Sequence, residues 1–475
     1  MKNIFLITAA ILMATPCLAD GSQDNKCTVT FDLNYEGAPS FQEKEVTAGR
    51  IIALGEKPLP TREGYRFAGW YTDKACQPEQ EWIFGAKNGG YYPPVRLDSM
   101  AVNQSMKLYA RWAAPTHIST PEQLHAMRND LYGWYVLDND IDLAGYPDWT
   151  PVGEYDHSYE MADGEWWVKA FKGKLDGQGH HIKNLHLTTS EPYMKGLFGA
   201  VANGEICRLT LSDCIIDIDD APLYAAPLAA IIKQDEGAVM LVQDCVVENL
   251  KMKVTMNLTE SGYAAATGLI AGAWNAVIDR CKVNGNMEIN IAGKGQGGDL
   301  YIGGILGEAY CDTRNCSANL DIKANILAEA EESVFIGGLQ ASATQVTDSQ
   351  SSGNISVSGN PRVKELYVGG LVGSERYGTI EGCKSSGLIS IKNSPIAQVG
   401  GVIGEFSQKF GSIGAMTGVE KTVLRNCHSS NEVTKENVEN FTWQGVSGSG
   451  TPEPIKGFFG PGMGYEVVGC SHGAE

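Results

Sequence analysis

The groups best suited to chemistry in this 475-residue chain are its 12 cysteines, eight histidines and 56 acidic side chains, and their spacing decides which chemistry is open to them. The cysteines are the most regular. Cys281 lies 13 residues after Gly268, Cys316 lies 12 after Gly304, Cys383 lies 13 after Gly370 and Cys470 lies 13 after Gly457. Cys245 and Cys427 belong to the same series behind longer inserts, while Leu209 and Ser349 occupy the equivalent place. A metal or redox array would need ligands converging from CxxC pairs or a nearby histidine set, and the sequence has neither. Cysteine is small and readily buried, so one per period reads as a column facing the interior.

The other candidates are sparser. His180, His181 and His186 cluster, but within a segment that reads as a strand, so a structural role is expected. Asp217, Asp219 and Asp220 do not return at a fixed period, as the paired carboxylates or Ca²⁺ ligands of a glycan-cleaving solenoid would. Gly293-Lys294-Gly295-Gln296-Gly297-Gly298 has the glycine content of a phosphate loop without its pattern or following helix. No His-Glu-x-x-His helix, Gly-x-Ser-x-Gly elbow or Cys/His protease signature occurs. No catalytic residue, metal ligand or cofactor site is therefore assigned, no cofactor is expected, and an enzyme is not the expected reading. Residues 154–167 concentrate aromatics and acids in one loop, where recognition tends to reside. Tyr155, Asp156, Tyr159, Trp166 and Trp167 are its candidate ligand-binding residues; the alternative is that the tryptophans cap the first coil. A second insertion, 406–445, is equally open.

What must position these residues is a repeat. Gly196-Leu197-Phe198-Gly199 returns as Gly268-Leu269-Ile270-Ala271-Gly272, Gly304-Ile305-Leu306-Gly307, Gly338-Leu339, Gly370-Leu371-Val372-Gly373 and Gly401-Val402-Ile403-Gly404, with a degenerate copy at Pro227-Leu228-Ala229-Ala230. The steps are 31, 41, 36, 34, 32 and 31 residues, a range that signals stacked repeats. The 56 glycines, well above the usual share of about 7%, are spread in short clusters, several of them at these recurring positions. Alternating segments such as Ile355-Ser356-Val357 follow each marker, so the expected class is all-β, a parallel solenoid of about eight coils near 40 Å long. Thr120-Pro121-Glu122-Gln123 is a capping box with Pro at the first helical position, and Leu124, Met127 and Leu131 follow at helical spacing. A short helix near 121–131 should cover the first coil. Residues 27–113 have another grammar, short alternating strands broken by turn residues.

A basic start, a short apolar run and Cys17-Leu18-Ala19 before Asp20 read as a signal peptide over 1–19, with a linker at 20–26. No later segment approaches the roughly 18 apolar residues of a membrane span, so none is expected after cleavage. Export permits disulfides, and Cys27 and Cys76 are the two cysteines of the first module, a candidate pair. The net charge of −19 disfavours nucleic acid and anionic lipid as partners.

Two resemblances add to this. Val29-Thr30-Phe31-Asp32, Pro60-Thr61-Arg62-Glu63-Gly64-Tyr65-Arg66-Phe67-Ala68-Gly69-Trp70-Tyr71-Thr72-Asp73 and Leu108-Tyr109-Ala110-Arg111-Trp112 resemble the Listeria–Bacteroides repeat, the B-repeat of internalins. That resemblance implies a small ubiquitin-like β-rich module over 27–113, used as a spacer or binding unit on bacterial surface proteins. The Gly-Leu-x-Gly elements, with Trp149-Thr150-Pro151-Val152-Gly153 and the segment from Phe171 to Leu185, resemble proteins carrying the GLUG motif. That resemblance implies a right-handed parallel β-helix over 114–475. Together they imply an exported protein of the cell surface, outer envelope, extracellular space or periplasm. Its expected role is adhesin-like binding or scaffolding, with host glycoprotein, matrix or glycan as partner. The rival expectation is a β-helix polysaccharide lyase or glycoside hydrolase.

Overall fold

The computed structural model describes residues 25–53, 56–85, 100–155, 169–189, 193–219, 224–234, 240–258, 264–295, 298–359, 362–406, 421–444 and 464–473. The expected signal peptide lies outside the described residues.

In the first module, cores form because one strand face is apolar. Along Lys26–Asp32, Cys27, Val29 and Phe31 are buried while the threonines between them are half-buried. The strand pairs antiparallel with Gln42–Thr47 and parallel with Met106–Ala113, which in turn pairs antiparallel with Arg66–Tyr71. Trp70 anchors the core: it is fully buried, its ring meets Phe31 edge-on at 4.8 Å, and its indole N–H donates to the Pro58 carbonyl at 2.8 Å. The disulfide expected between Cys27 and Cys76 is not formed; both thiols are free. Cys27 sits near the start of its strand. Cys76 lies beyond the other end, within 3.4 Å of the Asn34 side chain. The five strand steps from Cys27 to Asp32 alone span roughly 16 Å, whereas a disulfide needs Cα atoms within about 7 Å.

From Ala113 the chain runs almost directly into Pro115–Ile118, the first rung of a long parallel sheet. Eleven strands stack in one file, from Pro115–Ile118 through Trp134–Leu137 and Lys174–Asp176 up to Gly464–Val468. Ten steps at about 4.8 Å give a rod of roughly 50 Å, longer than expected because the rungs begin before the first Gly-Leu marker and continue past the last. A representative coil has three stretches: Lys282–Gly295, Leu300–Gly303 and Leu306–Arg314. The next places Ser317–Ile326, Glu329–Gly337 and Gln340–Thr347 directly over them. Register is strict, since one slipped residue would turn every apolar side chain outward. Met287, Ile322, Ile355 and Ile389 therefore form one inward file. The protein is all-β, a parallel β-helix with one continuous core and a β-rich N-terminal module.

The expected cap is present but shorter. Thr120 accepts from the Gln123 amide at 3.3 Å and the Gln123 side chain accepts from the Thr120 amide at 3.1 Å, so the capping box forms. The α-helix covers only Pro121–His125 and tightens into a 3₁₀ turn at Ala126–Asn129. Leu124 and Met127 reach the core, while the Arg128 side chain takes the His125 carbonyl and the chain turns for the strand at Trp134.

The glycine count has a spatial cause. Between the second and third stretches of a coil, the chain bends at a glycine pair packed against its copy in the next coil. A Cβ on Gly304 would lie 2.0 Å from the Gly338 carbonyl oxygen, one on Gly338 2.1 Å from that of Gly370, and one on Gly370 2.1 Å from that of Gly401. None of these three glycines needs a left-handed backbone; they need the absence of a side chain.

The cysteines lie in a column along the axis. Leu209, Cys245, Cys281, Cys316, Ser349, Cys383, Cys427 and Cys470 each precede a set of residues paired in register. All but Cys470 are buried; Cys470, on the last described coil, is half-buried. Each cysteine follows a left-handed corner residue, such as Asp244, Arg280, Asn315 or Asn426, and its thiol donates to the carbonyl two residues back. The Cys281 amide donates to the Cys316 sulfur at 3.4 Å, so each sulfur can also serve the coil beneath. Ser349 fits because its hydroxyl makes the same bonds, donating to the Thr347 carbonyl and accepting from the Cys316 amide.

Arginine is unusual in the left-handed region, and at this corner an ion pair across coils holds it there. Arg280 Nε donates to Asp244 at 2.7 Å, and Arg208 pairs with Asp176. The Arg280 hydrogen bond holds the Asp244 carboxyl below its usual range, and Lys183 does the same to Asp140, bringing it to about 2. A depressed carboxylate stabilises the fold above its unfolded pKa, near 4, and that contribution disappears as pH falls through the folded value. Denaturant midpoints should therefore be flat down to about pH 5 and drop between about pH 4 and 2. A midpoint unchanged across that window would contradict the corner pairs.

Candidate functional site

The repeat also writes a pattern on the outside of the coil. Immediately before each glycine bend the chain carries an apolar inward residue preceded by an outward one: Tyr301-Ile302-Gly303, Phe335-Ile336-Gly337, Tyr367-Val368-Gly369. Ile302, Ile336 and Val368 enter the core, so the strand period of two sends Tyr301, Phe335 and Tyr367 to the opposite face. In-register stacking puts their rings over one another, 5.5 and 5.4 Å between centroids and within 15° and 7° of parallel. This row lies against a second, formed after the bend by Ile231, Gly272, Glu308, Ser342, Ser374 and Glu405.

The two rows meet in a strip parallel to the axis whose rings are themselves buried, Tyr301 being 1%, Phe335 6% and Tyr367 3% exposed. Its floor is a second apolar cluster, separate from the core, containing Met194, Tyr224, Ala265, Tyr301, Phe335 and Tyr367, with Trp274 and Tyr155 packed against it. Carboxylates line it. The Tyr224 hydroxyl donates to Glu308 at 3.2 Å, the Ser374 hydroxyl to Glu405 at 3.0 Å, and the Tyr367 hydroxyl to Glu365. Burial, reinforced by Glu365 and Glu405, pushes the Tyr367 phenol far up, so it remains a donor at all ordinary pH. Glu375, in register with the core residue Ala343, is fully buried on the inner face and accepts the Gly378 amide there. The half-buried carboxylates of Glu308, Glu365 and Glu405 at the strip's margin offer acceptor oxygens to a ligand rich in hydroxyls.

The strip was missed by sequence reasoning although its signal was present: an aromatic three residues before the second glycine in three successive repeats. Of the candidate loop residues, Tyr155 is half-buried and touches the N-terminal end of this same cluster. Asp156, Tyr159, Trp166 and Trp167 lie outside the described residues, as do residues 407–420 of the 406–445 insertion. The histidines serve the coil wall, His181 Nδ1 within 2.7 Å of the Ser212 hydroxyl and His180 3.5 Å from Asp140. Among the described residues no three His, Cys, Asp or Glu groups converge to hold a metal. Asp217 and Asp219 alternate outward on Ile215–Asp219. Lys294 continues a strand and pairs with Glu329 at 2.7 Å, while Gln296 and Gly297 lie outside the described residues.

Fold and site together define a repeat-built β-helix bearing an axial aromatic–acidic strip, joined to a small β-rich module. Residues 28–93 match the Listeria-Bacteroides repeat domain; the strand Met106–Ala113, which completes that module's sheet, lies beyond the matched residues. A protein of Evansella cellulosilytica, provisionally named a Gly-rich membrane protein, is 29% identical over 122 residues, covering 24% of this chain and 13% of the relative's length. A crystal structure of a protein from Bacteroides ovatus, provisionally described as an immunoglobulin A1 protease, aligns with 76% of this chain and 84% of its own, at 17% identity and a TM-score of 0.35. No helix among the described residues is long and apolar enough to cross a membrane.

Proposed function

We propose that the chain is an exported bacterial surface protein that binds a glycan or the glycan of a host glycoprotein along its solenoid, without a cofactor and without cleaving it. The observation carrying this reading is the axial strip, where the half-buried carboxylates of Glu308, Glu365 and Glu405 border a row of stacked aromatic rings. The match to the Listeria-Bacteroides repeat and the name of the Evansella relative support a surface location. Carboxylates along the strip and a net charge of −19 favour neutral sugars over nucleic acid.

The test is a glycan and host-protein array probed with residues 20–475. Binding to a set of related glycans is expected, weakened at least ~10-fold by Glu308→Gln with Trp274→Ala, a loss of about 1.4 kcal/mol or more. Trp166→Ala with Trp167→Ala asks separately whether the 154–167 loop takes part. A silent array would leave a structural spacer as the better reading. Release of reducing ends or unsaturated products from a polysaccharide would instead establish cleavage.

A further inference from the structure

The N-terminal module holds a feature that the solenoid does not use. Thr61 to Tyr65 form a tight turn in which Gly64 is left-handed, with φ +74°, and the Tyr65 amide donates to the Arg62 carbonyl at 3.1 Å. This turn folds the Tyr65 ring against the Arg62 guanidinium, 3.7 Å from carbon to centroid. Tyr35, from the turn after Lys26–Asp32, approaches at 4.3 Å, and Trp112 closes the group at 6.0 Å. The supports are themselves held: the Asn34 side chain donates to the Ala110 carbonyl at 3.1 Å, and the Trp112 indole donates to the Leu33 carbonyl at 2.6 Å.

Every other arginine whose side chain is described reaches a carboxylate or a backbone carbonyl. Arg62 alone has aromatic rings and no acceptor among the described residues. Rings against the guanidinium faces leave its planar edge, the part that takes a carboxylate through two parallel N–H bonds. The Tyr35 and Tyr65 hydroxyls likewise have no partner there, and Tyr65 is 39% exposed, leaving ring surface for a ligand.

We infer that Tyr35, Arg62 and Tyr65 form a carboxylate subsite for an acidic sugar residue on an otherwise neutral glycan. The guanidinium takes the carboxylate, the phenols take neighbouring ring hydroxyls, and a C–H face of the sugar lies on Tyr65. A single carboxylate suits the site better than a polyanion, which the net charge of −19 repels. An aspartate or glutamate side chain of a peptide brings the carboxylate without the adjacent hydroxyls.

Ligand-observed NMR on residues 20–475 tests this with methyl glucuronide, methyl sialoside, the methyl ester of the glucuronide and a glutamate-containing peptide. At least one sugar acid should bind, at least ~10-fold more tightly than the ester, because the ester loses the charged pair. Arg62→Lys should weaken it by a similar factor at an unchanged melting temperature, and Tyr65→Phe, which removes only the hydroxyl, should weaken it less. The inference is overturned if neither sugar acid binds, if the ester binds as well as the acid, if Arg62→Lys binds like the parent chain, or if the peptide binds more tightly than both sugars.

Discussion

Replacing Gly304 by alanine should destabilise the solenoid by about 3–5 kcal/mol, although it adds one methyl group. The new Cβ would stand 2.0 Å from the Gly338 carbonyl oxygen and 2.8 Å from the Ala318 Cβ, with nothing flexible in the way to move. The coils must separate at that bend, which loosens the hydrogen bond from the Gly304 amide to the Gly337 carbonyl, 3.2 Å in the intact fold. Because each coil touches only its neighbours, the fault divides the stack, and a cooperative melt should become two transitions. Gly145→Ala is the control. It has nothing within 4 Å and an ordinary backbone, so it should stay within about 0.5 kcal/mol of the parent chain. Equal melts for the two variants would mean the bends do not pack as described.

Thiol labelling should divide the eleven described cysteines into two classes. Cys76 and Cys470 are half-buried; the other nine are buried. Burial pushes the Cys281 thiol well above its usual range and raises Cys311 to about 12, so neither access nor thiolate is available without opening. If local opening costs about 4 kcal/mol, the buried set should react ~10³-fold more slowly than in concentrated guanidinium. Mass spectrometry after a brief exposure to iodoacetamide should find label at Cys76 and Cys470 first, because their partial exposure sets them apart. Burial at Cys76 and the Cys427 sulfur at Cys470 push these thiols up as well. Label at Cys281, Cys316 or Cys383 on the same timescale would show those sulfurs facing solvent.

The solenoid was legible because its signals are local and repeated. Leu197, Leu228, Leu269, Ile305, Leu339, Leu371 and Val402 mark the bends, and each is buried. The offset to Cys281, Cys316 and Cys383 already implied a file of like residues. What the spacing could not reveal was distance: Gly304 reads as a turn residue and turns out to be a contact with no room for a side chain. The helix ended early because Arg128 takes the His125 carbonyl, an event with no composition cue. The strip escaped notice because Tyr301, Phe335 and Tyr367 look like core aromatics until the alternation places Ile302, Ile336 and Val368 inside and the rings on the outer face. The union of the two modules was equally hidden. Arg66 reaches across to the Lys172 carbonyl at 2.7 Å, and Glu81 bonds to Tyr132, contacts between residues 106 and 51 positions apart.

Stacking of this kind also sets how the rod responds to tension. The bonds joining one coil to the next run parallel to the long axis, from the first rung at Pro115–Ile118 to the last described one at Ser471–His472. A load applied end to end meets only one seam of them at a time, so the rod should peel open turn after turn at modest force instead of failing in a single event. Under such a load the molecule would lengthen by whole coils, and it would shorten again as they re-stack.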